Sequence, residues 1–307
     1  MNVEPSAERA RDEPKVSVLL PVRNEGKWIQ QRLENLLTQD FSDFELIVSD
    51  NASTDNTESM CRNIADTDPR VRYFRNDSDL GSSVNYSMAL ERARAPYAVF
   101  AGGHDLWSSN FLLALVEMLD NNPSMVLCSA RLEPIDHIGQ PEIGKSRWTI
   151  QTHGVSSKVR RFNLVMWSDQ NPFYGLVRTE AARLASSEQY SVADGLVYLL
   201  RLAILGEFGL SREATFFRRS NRETESLIDR VDRYRPQLWG TPRPKRGSVS
   251  LLYLATATEI VSIGFKFLRV PIGAHRLSSA ERRILILSSF SVFARLASYL
   301  HPRYWFR

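Results

Sequence analysis

From residue 16 to residue 129, short apolar runs alternate with stretches of helical periodicity, a rhythm that restricts the chain to very few architectures. VSVLLP at 16–21 is an apolar run stopped by proline, the pattern of a strand buried on both faces. Residues 26–39 set Trp28, Ile29, Leu33, Leu36 and Leu37 on one helical stripe, with Trp28 expected in the core. FELIVS at 44–49 reads as a second strand, and 54–64 as a helix capped by Thr54 or Asp55 with Met60 and Ile64 on one side. A third strand at 71–74 precedes a helix at 81–94, where Val84, Met88 and Leu90 are expected inward. YAVFA at 97–101, a helix near 110–119 and a strand at 125–129 complete the series. Strands joined by helices of this length predict an α/β fold with a mostly parallel sheet flanked by helices, whose ligands bind beyond the C-terminal strand ends.

That rule selects three loops, at 21–25, 50–55 and 102–107. Pro21, Val22 and Arg23 can line a base and ribose pocket, with Arg23 near phosphate, while Glu25 starts a helix where exposed N–H groups favour a carboxylate; an ordinary strand-to-helix cap is the plainer reading. Asp50 follows a buried strand directly and can accept the N–H of a pyrimidine ring; Asp55 can brace this loop or cap the next helix. In AGGHDLW, 101–107, the paired glycines remove bulk where a diphosphate must approach backbone, and Asp105 supplies a hard oxygen for Mg2+ or Mn2+. His104 can assist that ion, touch phosphate, or orient Asp105; Trp107 can close one side of a sugar pocket. An acidic turn without chemistry is the alternative for Asp105.

Periodicity weakens from 131 to 175, where Pro134, Gly139, Pro141, Gly144 and Gly154 predict a loop-rich lid with an edge element. A helix is expected at 192–205, and Asp194 at its start can serve as a general base or only as a cap. Arg218 and Arg219 can face phosphate or an acidic acceptor, or belong to a solvated surface, and His153 is expected on the surface. TPRPKRGS after Gly240 reads as a linker to two apolar-rich helices at 249–269 and 280–300.

Composition matters mainly through charge. Residues 1–200 carry 20 cations and 27 acids, whereas residues 201–307 carry 19 and 8, so a net +4 conceals −7 and +11. A basic tail can meet anionic lipid, nucleic acid or an acidic partner, but no zinc, RNP-like or helix-turn-helix signature accompanies it, so no nucleic-acid partner is expected. Glu259, Lys266, Arg282, Arg283 and Arg295 interrupt the two tail helices, which predicts peripheral membrane contact or self-association through 241–307, not a span. Two cysteines without a CxxC suggest neither a disulfide framework nor a thiolate metal cluster. The polar first dozen residues lack a signal core, so the expected location is cytoplasmic, at the inner face of the cell membrane if the tail binds lipid.

Taken in order, PVRNE at 21–25, SDNASTDNT at 49–57, Asn76, Gly81 and Asn85 in RNDSDLGSSVNYSMA, and AGGHDLW at 101–107 resemble the successive segments of a family 2 glycosyltransferase of the GT-A fold. NPFYGLVRTEAARL at 171–184 resembles the family's acceptor-side segment, with Tyr174 and Gly175 in it, and SVADGLVYLLRLAILGEFG at 191–209 the stretch that holds the base. FFRRSNRE at 216–223 is similar to the basic segment after the next strand, so the resemblance spans roughly 15–225.

The resemblance implies an inverting, nucleotide-sugar-dependent enzyme of cell-surface polysaccharide or glycolipid synthesis, with a saccharide or lipid-linked acceptor. It makes Asp105 the metal ligand, Asp50 a base contact and Asp194 the base, and places Asn51, Asn76, Gly81, Asn85, Gly103 and His104 around the donor. Gly103, His104 and Ala193 stand where the family more usually has acids. The chain then divides into a polar tail at 1–14, a catalytic domain at 15–240 (donor half 15–130, acceptor half 131–240) and a basic helical extension at 241–307. A nucleotidyltransferase acting on a sugar phosphate and a non-catalytic nucleotide-sugar-binding protein are the rival readings.

Overall fold

The computed structural model describes residues 13–102, 104–142, 150–166, 168, 171–186, 194–219 and 278–279. The linker and both helices expected in 241–307 therefore lie outside the described residues, apart from those last two. The described elements run β1 (Val16–Val22), α1 (Ile29–Leu37), β2 (Phe44–Asp50), α2 (Thr57–Ala65), β3 (Val71–Arg75), α3 (Ser82–Glu91), β4 (Tyr97–Phe100), β5 (Leu106–Trp107), α4 (Phe111–Asn121), β6 (Met125–Ile135), α5 (Lys158–Met166), β7 (Leu176–Arg178), α6 (Thr179–Ala185), α7 (Asp194–Leu205) and β8 (Glu207–Arg219).

One sheet, in the order β3-β2-β1-β4-β7-β6-β8-β5, crosses the molecule. Its β3-β2-β1-β4 half is wholly parallel, as the alternation requires. Beyond β4 the direction changes: β7 runs antiparallel to β4 and β6, β8 parallel to β6, and β5 antiparallel to β8. β1 and β2 are buried at every residue because helices cover both faces. Side-chain alternation sends Val16, Val18, Leu20 and Val22 toward Leu33 and Leu36 of α1, and Leu19 toward Ala89 of α3 and Phe162 of α5.

Three expectations change. α3 buries Asn85, Ala89 and Leu90, while Val84 and Met88 are only half-buried, because the helix turns a polar residue toward the strand ends. Trp28 is half-buried, its ring flanked by Lys27 and Arg219, so it is not a core residue. The described part of the 131–175 stretch is more regular than its glycines and prolines suggest. β6 continues to Ile135 inside the sheet, and α5 buries Phe162 and Val165. That apolar pair is hidden in the sequence among Lys158, Arg160 and Arg161. Arg161 is itself buried, donating to the carbonyls of Val155, Ser156 and Ala203. Among the described residues no helix is long and apolar enough to cross a membrane.

Candidate functional site

Val22 pairs with Asp50, and β4 lies on the other side of β1, so the loops leaving β1, β2 and β4 emerge together at one edge. The first two are laced into one surface. Asn24 N–H donates to Ser53 Oγ (3.0 Å), Thr54 N–H to Asn24 Oδ1 (2.8 Å), Glu25 N–H to Thr57 Oγ1 (2.9 Å) and Gly26 N–H to Asp55 Oδ2 (3.0 Å). Burial opposes it, yet hydrogen bonds from Thr57 and Gly26 hold the Asp55 carboxyl below its ordinary range. Asn24 (φ 53°) and Ala52 (φ 55°) both sit in the left-handed region. For alanine that region is a strained choice, held here by the lacing around it.

Asp50 is fully buried and its carboxylate is saturated. Oδ1 accepts from Ser53 N–H (2.9 Å) and Ser53 Oγ; Oδ2 accepts from Tyr73 (2.6 Å) and Arg75 (2.9 Å). Burial, then the Asp50 carboxylate, pushes the Tyr73 phenol above its ordinary value. A base contact by Asp50 would require one of these four donors to let go. In this structure the residue is the joint between β2, β3 and the second loop. Asp50→Ala should therefore destabilise the fold by about 2–4 kcal/mol, below the ~5 of a fully buried pair because Arg75 stays partly hydrated. Urea unfolding measures it; a loss under ~1 kcal/mol would make the joint incidental.

Asn51, Asn76 and Asn85 are also buried. Asn51 Oδ1 accepts from Asn76 Nδ2 and from Leu80 N–H, both at 3.0 Å, and Asn85 Nδ2 donates to Ser49 O at 2.8 Å. Asp79, which carried no sequence signal, accepts from Asn51 Nδ2 and Gly81 N–H and pairs with Arg23. Gly81 is the N-cap before α3, at φ 83°, a conformation that glycine adopts without strain. These residues brace the loop after β3 against the loop after β2.

The third loop holds Asp105, 3% exposed. Its Oδ1 accepts the Arg219 N–H at 3.0 Å. A Cβ on Gly102 would stand 2.5 Å from Asp105 Oδ2, so only a residue without a side chain lets the carboxylate lie against position 102. Gly103 lies outside the described residues. His104 lies between two acids: its Nδ1 is 3.8 Å from Glu25 Oε2 and its Nε2 3.9 Å from Asp105 Oδ1. Among the described residues no group of three or more His, Cys, Asp or Glu side chains is placed to hold a metal. The donor set fits a divalent cation that takes one carboxylate oxygen from the protein and the rest of its shell from phosphate and water.

Below this turn lies Arg32, 1% exposed, on the apolar stripe of α1 four residues after Trp28. Its guanidinium covers the Trp107 ring at 4.6 Å, and Nη1 donates to Asn35 Oδ1 (3.2 Å), while Nε and Nη2 have no partner. Burial pulls its pKa down to about 9, against the opposing charge of Asp105. Asn35 Oδ1 also accepts from Trp107 N–H (2.9 Å), and Asn35 Nδ2 donates to Trp107 O (2.9 Å), pinning β5 to α1. Trp107, expected at the sugar pocket, is 2% exposed and stacked on Phe111 at 4.3 Å. It fills the core beneath the turn and does not line a pocket.

The acceptor-side candidates separate. Tyr174 stacks on Phe216 (5.2 Å) and meets Phe173 edge-on (5.3 Å). Gly175 passes so near β6 that a Cβ would lie 2.6 Å from Cys128 O. Arg218 donates to Asn171 Oδ1 at 2.7 Å, in the same turn. Arg219, on the opposite side of the strand, is buried against the Asp105 turn, so its guanidinium does not face an acceptor. Asp194 is the first residue of α7, and the structure describes its backbone only. One turn on, Tyr198 is buried with an unpartnered hydroxyl. His153 pairs with Glu207 (3.1 Å) at the start of β8, away from the strand-end loops. Residues 220–223, the end of the FFRRSNRE segment, lie outside the described residues.

A half-parallel sheet with helices on both faces and polar loops gathered at its strand ends defines a GT-A glycosyltransferase fold. The Glycosyl transferase family 2 model matches residues 17–171, half of the chain, and the chain belongs to that family. It is 29% identical over 133 residues to the GalNAc(5)-diNAcBac-PP-undecaprenol beta-1,3-glucosyltransferase of Campylobacter jejuni, covering 43% of each chain. To the putative teichuronic acid biosynthesis glycosyltransferase TuaG of Bacillus subtilis it is 29% identical over 106 residues, 34% of this chain and 42% of that one. The chain thus spans less than half the length of these relatives. The crystal structure of S. aureus TarS 1–349 in complex with UDP-GlcNAc is similar with a TM-score of 0.65 at 17% identity, over 93% of this chain and 75% of that one. Mannosyltransferase PcManGT from Pyrobaculum calidifontis, in complex with GDP-Man and Mn2+, is similar with a TM-score of 0.52 at 17% identity, over 94% and 76%.

Proposed function

We propose that this protein moves a sugar from a nucleotide-diphosphate donor to an acceptor hydroxyl, with inversion, in the synthesis of a cell-surface polysaccharide or glycolipid. The observation that carries the reading is Asp105: a buried carboxylate in a glycine-flanked turn, with Oδ1 tied to Arg219 N–H and Oδ2 packed where a side chain at Gly102 would stand. In this reading residues 15–130 bind the donor, Arg23 leaving Asp79 to meet phosphate, and residues 131–240 bind a saccharide or lipid-linked acceptor. Asp194 removes the acceptor's proton as its oxygen attacks the anomeric carbon opposite the leaving diphosphate. A divalent cation, Mg2+ or Mn2+, held by Asp105 and the donor's phosphates, would offset charge on the leaving group. The UDP-GlcNAc bound by TarS, the GDP-Man and Mn2+ bound by PcManGT and the undecaprenol named in the Campylobacter jejuni relative support this assignment of ligand classes.

A panel of UDP- and GDP-sugars, incubated with the protein and Mg2+, Mn2+ or EDTA, tests the reading without knowledge of the acceptor. The expected result is slow release of nucleoside diphosphate from one donor with metal and none with EDTA. Pyrophosphate from incubations of sugar phosphate with nucleoside triphosphate would make the protein a nucleotidyltransferase, and no turnover of any donor would sink the reading.

A further inference from the structure

The guanidinium of Arg219 gathers parts of the molecule that are far apart in sequence. Nε donates to His104 O (2.9 Å), Nη1 to Asp136 O (3.0 Å) and His137 O (2.8 Å), and Nη2 to Gln31 Oε1 (3.2 Å). Its backbone N–H donates to Asp105 Oδ1 (3.0 Å), and the Trp28 ring lies 4.5 Å from its central carbon. One 6%-exposed side chain thus joins the Asp105 turn, the turn after β6 and the first turn of α1. The turn after β6 is preshaped to receive it. Asp136 Oδ1 accepts from Ile138 N–H (2.9 Å) and Gln140 N–H (2.8 Å), and Gly139 holds φ 94°. A buried cation that meets three carbonyls and a side-chain amide is too costly to desolvate unless its geometry is useful or its packing dense.

We propose that Arg219 is the positioning residue of the Asp105 turn, fixing the His104–Asp105 peptide so that Asp105 would present Oδ2 to a cation carried by the donor's diphosphate. The inference rests on the function proposed above. Its physical content is the division of labour at one carboxylate. The strand amide of 219 occupies Oδ1, and the side-chain fork fixes the carbonyl that precedes Asp105, so rotation of the acid away from the diphosphate would break bonds at both ends. Lysine keeps the charge at 219 but not the planar fork, and cannot serve the same acceptors together. Residues that orient a metal ligand typically contribute about 10–100-fold to metal affinity.

Calorimetric titration of UDP and of GDP, each with MnCl2 and with EDTA, into the full-length wild type and Arg219→Lys reads this directly. The wild type is expected to bind one nucleotide more tightly with Mn2+. Arg219→Lys should lose about tenfold or more in the Mn2+ arm and remain within about twofold in the EDTA arm. A generally loosened fold would weaken both arms, which would overturn the positioning role, as would an undiminished Mn2+ enhancement. Absence of Mn2+ enhancement in the wild type would instead sink the functional reading and this inference with it, and is recognised before any variant is compared. If Arg219→Lys does not fold by circular dichroism, Gln31→Met removes one arm of the fork from the outer face of α1. A two- to fivefold loss confined to the Mn2+ arm supports the proposal, and equality with the wild type overturns it.

Discussion

Asp105→Asn is expected to lower metal-dependent release of nucleoside diphosphate by about 10³-fold, the equivalent of the several kcal/mol that a bound divalent ion contributes to a charged transition state. The substitution is chosen for what it keeps. Asparagine has the same shape, and its carbonyl oxygen can still accept the Arg219 N–H that now meets Oδ1. What it loses is the negative charge beside Gly102, and its amide nitrogen cannot ligate a hard cation. Nucleotide affinity in EDTA and the thermal midpoint should therefore stay close to wild type while affinity in Mn2+ falls. Retained metal-dependent hydrolysis would remove Asp105 from the donor site. A loss of folded protein in step with activity would make the turn structural, a serious alternative for a carboxylate that is 3% exposed.

The sequence made the donor half's architecture legible for a definite reason. β1 and β2 are buried on both faces, so their apolar runs are nearly unbroken and stop where a polar loop begins. The convergence of the loops after β1, β2 and β4 follows from parallel pairing alone. What fills those loops' hydrogen bonds does not follow. Asp50 Oδ2 is taken up by Tyr73 and Arg75 from β3, and Asp105 is tied to an amide 114 residues away, contacts that no local spacing reveals. β7 has three residues, too few to show a period, and α5 has a narrow apolar stripe among cations. Trp107 shows the limit on aromatics: a tryptophan next to a polar motif reads as a pocket wall, whereas here it is stacked between Arg32 and Phe111 in the core. Arg32 did carry a signal, a charged residue at helical spacing within the stripe of Trp28, Ile29, Leu33 and Leu36. Such a residue on a core-facing stripe marks a place where packing has been set aside for electrostatics.

The second large effect is expected at Asp194, where Asp194→Asn should reduce transfer to an acceptor by about 10²–10⁴-fold, the usual contribution of a positioned general base. Asp194 is the first residue of α7, and a helix start is in general a place that favours the charged carboxylate a base must be. Asparagine can still cap the helix, so a residue that only capped would tolerate the change, at a cost of a few tenths of a kcal/mol. The two aspartates must therefore fail differently. Asp105→Asn weakens Mn2+-dependent nucleotide binding and all donor turnover, whereas Asp194→Asn leaves that binding intact and blocks only the step that needs the acceptor's proton. Donor hydrolysis by water separates them further, because a background reaction that bypasses the acceptor should survive Asp194→Asn better than transfer does. Transfer at the wild-type rate by Asp194→Asn would leave the acceptor half without its base.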